Sequence, residues 1–151
     1  MSKVWIYQAN RFLNDSEVAE INNLALDFVS SWTAHGSALA GKASVIDNLF
    51  VVLEVDEEIA GVTGCSIDKS VHFIKALGEK FSVDFFDRMR VAYLDSEGVL
   101  QLSSREEFQE LVNLEKVNID TIVYNNLIQN ADELTSNWKI PFSKSWHSKV
   151  F

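Results

Sequence analysis

The sequence predicts an α+β fold, a two-layer sandwich with an antiparallel or mixed sheet and helices packed mainly on one face. Three observations lead there. Short runs rich in β-branched and aromatic residues occur singly and as hairpins. Between them lie segments whose apolar residues recur at helical spacing. Hairpins are too many, and strand–helix alternation too sparse, for a doubly wound sheet. The chain has 151 residues, six Gly and one Pro, with no repeat and no linker-like tract, so it reads as a single α+β domain over 1–151.

The elements follow in order. Val4–Ala9 (VWIYQA) reads as a strand. Asn14 and Glu17 stand at capping-box spacing before a helix of about 15–32, carried by Val18, Ile21, Leu24, Ala25, Phe28 and Trp32. Val45–Ile46 and Leu49–Val55 read as strands around Asp47-Asn48, either a hairpin or one bulged strand. Ala60–Gly64 is a short glycine-containing connection or a strand. Ile67, Val71, Ile74, Leu77 and Phe81 mark a second helix of about 67–81. Met89–Leu94 and Val99–Leu102 flank Asp95-Ser96-Glu97-Gly98, a hairpin signal. Ser104 and Glu107 form a second capping box, opening a helix of about 104–113. Thr121–Tyr124 reads as a strand and Ala131–Trp138 as a last helix. Phe142, Trp146 and Phe151 predict that the segment from Pro141 packs down.

Composition narrows the function classes. The formal charge is −9, and a sequence-independent grip on nucleic acid needs a basic stripe, so no nucleic-acid partner is expected. The apolar runs fall far short of a membrane span, and MSKVWIYQANRF lacks a signal peptide's apolar region. Cys65 is the one cysteine, so no intrachain disulfide can form. A cytoplasmic protein is the expectation. No cofactor and no metal are expected, because no pair among Cys65 and the three histidines has local ligand spacing.

Gly36–Ala43 (GSALAGKA) nearly spells a phosphate-binding loop. That pattern needs Gly, four residues, then Gly-Lys-Ser/Thr, so that backbone N–H groups wrap phosphates and the hydroxyl holds Mg²⁺. Here Ala43 replaces the hydroxyl residue, and the run follows a predicted helix instead of opening one. It reads as a small-residue loop between helix and strand.

Gly64–His72 (GCSIDKSVH) is the chemically densest stretch. Cys65 falls at or just before a helix N-terminus, where unpaired N–H groups and the helix dipole favour thiolate. At 100° per residue, Cys65, Asp68, Lys69 and His72 share one side, opposite Ile67, Val71, Ile74 and Phe81. A thiol, a carboxylate, an ammonium and an imidazole would then line one surface. A polar outer face is equally what any amphipathic helix carries. Ser66 or Asp68 can simply cap the helix, and Asp68 and His72 can simply pair at i,i+4. Of the other histidines, His35 lies just past the first helix beside Gly36, and His147 follows Trp146 near the end of the chain.

Five stretches carry a resemblance: VWIYQANRFL (Val4–Leu13), WTAHG (Trp32–Gly36), TGCSIDKSVHFIK (Thr63–Lys75), FDR (Phe86–Arg88) and SWH (Ser145–His147). With these the chain resembles a family of small uncharacterised bacterial proteins often labelled ABC transporter ATPase. The resemblance implies no established activity and carries over no catalytic residue. The label conflicts with the residues. A transporter nucleotide-binding domain is much longer and has a complete phosphate-binding loop. It also has an LSGGQ-like signature, and Leu102–Arg105 lacks its glycines.

The leading expectation is therefore a binding or interaction role toward a small molecule or a protein, with homo-oligomerisation open. Its surface would gather His35, Gly36, Gly64, Ser66 and Lys69, with Trp146 and His147. The alternative is a small thiol enzyme or redox protein, with Cys65 as nucleophile, His72, His35 or His147 as base and Asp68 as orienter. A nucleotide-binding ATPase ranks third.

Overall fold

Asn14, itself extended, starts the first helix as its N-cap. Its side chain accepts from Glu17 N at 2.8 Å, and the Glu17 carboxylate accepts from Asn14 N at 3.0 Å. This reciprocal cap opens α1, Asp15–Ser31. It is one of two capping boxes that the sequence predicts. The other is Ser104 with Glu107, which opens α3, Arg105–Asn113.

The computed structural model describes residues 2–34, 37–57 and 62–151. The chain folds as two compact units, Met1–Phe86 with Gln129–Ala131, and Asp87–Ile128 with Asp132–Phe151. The class is α+β, and every strand pairing among the described residues is antiparallel. The strands are shared among separate sheets instead of joining one.

In the first unit, β1 (Ser2–Gln8), β4 (Ala40–Ile46) and β5 (Phe50–Asp56) form a sheet in the order β1-β5-β4. β5 lies in the middle and is apolar almost throughout, as a strand flanked on both edges requires. Asp47 and Asn48 turn the β4–β5 hairpin with φ of 56° and 55°. These residue types enter the left-handed region at the lowest cost after glycine. The hairpin reading of Val45–Val55 thus holds, but β4 begins at Ala40, so Gly41-Lys42-Ala43 is strand and not loop. A short hairpin, β2 (Thr33–Ala34) with β3 (Ser37–Ala38), follows α1.

α1 packs on β4, and Gly41 makes this possible. A Cβ built there would lie 3.0 Å from Trp32 Cε3. Trp32, Leu39 and Val55 form the buried centre of this layer, joined by Trp5, Phe28, Val29 and Val62. α2 spans Gly64–Phe81 and lies beside α1, with the Phe28 and Phe73 rings stacked at 4.4 Å.

In the second unit, β6 (Val91–Leu94), β7 (Leu100–Ser103), β8 (Ile122–Tyr124) and β9 (Lys139–Pro141) pair in the order β7-β6-β8-β9. Gly98, at φ 77°, closes the β6–β7 turn as the sequence predicts. Phe108 of α3 is fully buried against Val91, Val123 and Phe142, which sets α3 on one face of this sheet. The helix expected over 131–138 shrinks to α4, Glu133–Ser136, because Trp138 leads directly into β9. From Pro141 the chain packs down as expected, in two 3-10 turns at Phe142–Lys144 and Trp146–Lys149.

Candidate functional site

α2 is the element that carries most of the chemistry read from the sequence. Its N-cap is Thr63, so the helix begins at Gly64, three residues earlier than the expected start. Thr63 Oγ1 accepts from Ser66 N at 3.2 Å, and Ser66 Oγ accepts from Thr63 N at 2.7 Å. Ser66 is therefore a structural capping residue, fully buried, and Asp68 has no part in the cap. Gly64 begins the helix, with no atom within 4 Å of the space a Cβ would fill.

Cys65, Asp68, Lys69 and His72 are all exposed, and they do share the outward side of α2. The stripe that faces inward is Ser66, Ser70, Ile74 and Leu77. Two serines thus head the buried face, and their hydroxyls are satisfied locally. Ser70 Oγ donates to Ile67 O at 2.6 Å. On the outward side, Lys69 Nζ lies 3.3 Å from Thr33 Oγ1. Among the described residues, no hydrogen bond engages the Cys65 thiol, and none joins Asp68 to His72. His35 and Gly36 lie outside the described residues.

Beside the C-terminal half of α2 runs an open groove of about 280 Å³. Its apolar lining is Ile74, Val83, Phe85 and Phe86, and its charged members are Lys75, Glu79 and Asp84. Ile74, Val83 and Phe85 are buried, whereas Phe86 is 40% exposed. The geometry comes from an abrupt stop to α2. Ser82 adopts a left-handed conformation at φ 55°, and its N–H donates to Gly78 O. Val83 O then lies 2.6 Å from the position a Gly78 Cβ would occupy. Only glycine lets residues 83–86 fold back along the helix. Asp84 holds the return, accepting from Phe86 N at 2.8 Å, while Asp84 N donates to Asn10 Oδ1 at 3.0 Å. Phe86 leans edge-on against Tyr7 at 5.7 Å.

Sequence reading missed this groove. The signal available was Gly78 inside an otherwise good helical pattern, which marks a close approach.

Trp146 and His147 belong to the second unit, and the α2 residues with which the sequence grouped them belong to the first. His147 is buried and stacks on Trp146 at 3.8 Å. Its Nδ1 lies 3.0 Å from Ser145 Oγ. Burial pushes its pKa down to about 4, so the ring is neutral at pH 7. A buried neutral imidazole of this kind is a core residue of its unit.

No family model matches the chain, and neither a curated protein nor a solved structure matches it. No group of three or more metal-ligating side chains occurs among the described residues. No helix among them is long and apolar enough to cross a membrane. Gly41-Lys42-Ala43 lies within β4, where a paired extended backbone cannot wrap its N–H groups around phosphates.

Proposed function

We propose that this protein is a cytoplasmic binding module with α2 as its recognition element. The observation that carries the reading is the groove formed by Ile74, Gly78 and Val83–Phe86. An apolar floor with a few charged groups at its edge suits a small molecule, or a protein segment, that has both an apolar and a charged part. Lys75, Glu79 and Asp84 supply both signs of charge. Cys65, Asp68, Lys69 and His72 extend the same helix as an exposed polar surface for a larger ligand. The charge of −9 argues against nucleic acid as the ligand.

The test is a thermal-shift screen of the intact protein against small molecules, because a ligand that binds the folded state raises its melting temperature. At a concentration 100 times its Kd, a hit stabilises by about 2.7 kcal/mol. The reading expects hits whose shift is lost in Lys75→Ala or Phe86→Ala and kept in Cys65→Ser. A shift lost in Cys65→Ser, with turnover of the hit abolished by iodoacetamide, would replace it with the thiol-enzyme reading.

A further inference from the structure

We propose that Trp146–Phe151 is an acid-released clasp on the second unit, with His147 as its trigger. The segment is held at a few points that all pass through or beside this histidine. Phe151 packs edge-on against the fully buried Phe108 at 4.9 Å. Val150 N and Phe151 N both donate to His147 O, at 3.1 and 3.0 Å. His147 N donates to Ser145 Oγ, and the imidazole lies 6.4 Å from the Phe108 ring. His147 as a whole is 2% exposed.

A proton on such a ring gains one hydroxyl acceptor, Ser145 Oγ at 3.0 Å from Nδ1, and no opposite charge. Among the described residues, no carboxylate pairs with the imidazole. The elements around it carry charges of both signs: Glu106, Glu107 and Glu110 share α3 with Arg105, and none of these carboxylates pairs with the ring. Arg105 of α3 sits 6.0 Å over the Phe151 ring, and Lys144 and Lys149 lie exposed on the two 3-10 turns. Stacking on Trp146 offers an imidazolium a weak attraction, which does not replace the water it loses on burial. The Trp146 indole N–H is itself buried without an acceptor, so closure already carries one unsatisfied donor.

The sign follows from the two proton affinities. The closed ring titrates at about 4 and an open ring at the ordinary 6.5. The clasp is thus fully favoured above pH 6.5 and weakens as the pH falls from 6.5 toward 4. The closing equilibrium loses at most about 300-fold across that interval, a factor of ten for each pH unit between the two values.

The experiment is an amide NMR titration of the whole protein from pH 7 to pH 4 at constant ionic strength. Residues 145–151 and Phe108 are expected to shift together while β6–β8 stay dispersed. His147→Gln, neutral throughout, should hold the closed positions down to pH 4. His147→Phe serves the same purpose with the stack retained, should the glutamine variant fail to fold. An imidazole titrating at about 6.5, amides of 145–151 that do not move, or collapse of the whole spectrum at the same pH would each overturn the proposal.

Discussion

The indole Nε1 of Trp32 donates a 2.9 Å hydrogen bond to the main-chain carbonyl of Ser66. Both residues are buried, so the contact ties the end of α1 to the first turn of α2 out of reach of water. Trp32→Phe keeps an aromatic ring but leaves the carbonyl without this donor. We expect a loss of about 1–3 kcal/mol in urea unfolding, with an unchanged m-value.

Ser66 faces inward because its hydroxyl completes the Thr63 cap. Ser66→Ala removes the acceptor for Thr63 N while leaving the buried volume nearly unchanged. The expected cost is about 1–2 kcal/mol. Cys65→Ala, one residue away and exposed, should stay within about 0.5 kcal/mol of the parent. Equal losses in the two variants would contradict the assigned orientation of the helix.

Two glycines in α2 should respond oppositely to alanine. At Gly78 the new methyl meets the Val83 carbonyl at 2.6 Å, a backbone atom that cannot rotate away. Gly78→Ala should cost about 1–3 kcal/mol despite the better helix propensity of alanine, and should distort the groove. Gly64 has open space around it, so Gly64→Ala should be neutral or stabilise by up to about 1 kcal/mol. Chemical denaturation of the pair measures the contrast directly.

Arg11 grips the Glu17 carboxylate through two hydrogen bonds, at 2.9 and 2.7 Å. With the Asn14 N–H, it holds that carboxyl down at about 2 instead of 4.5. The depressed value means that the folded state binds this proton later than the unfolded chain does. The stabilisation is present above pH 4.5 and is lost as the pH falls toward 2. Glu17→Gln should flatten that limb of a stability-versus-pH curve. Added salt should weaken the effect, because the pair is partly exposed.

Exposure makes Cys65 a convenient probe. Iodoacetamide should label the folded protein to one equivalent without denaturant, as read by intact mass. Protection of the thiol in the native state would mean that its face of α2 is covered, for example by a second copy of the chain.

Much of the local structure was legible in the chain. Both capping boxes with Glu at the third position, the Asp47-Asn48 turn and the Gly98 turn depend on residues a few positions apart, and each appears where the sequence puts it. The capping pair Thr63 and Ser66 was not legible as such, because two hydroxyl residues at that spacing lack the usual Glu or Gln. The strand over Ala40–Ser44 was not legible either. Its small and polar residues have low strand propensity, and they are extended because β5 supplies the ladder and Trp32 needs the space at Gly41. α4 and β9 were misjudged where Trp138 answers to Tyr124 and Asn126 and not to its own helix.

For the candidate site the division is sharper. The sequence alone determined that α2 would carry Cys65, Asp68, Lys69 and His72 on one side, because helical periodicity is a local property. Which side of α2 the protein buries was decided by tertiary packing, through the Trp32–Ser66 bond and the Ser66–Ser70–Ile74–Leu77 stripe. The groove was decided there too, since it exists only where residues 83–86 return along Gly78. So was the fate of His147, a polar residue by composition and a core residue by burial. Periodicity and caps act over a few residues, whereas burial depends on segments that meet only when the chain has folded.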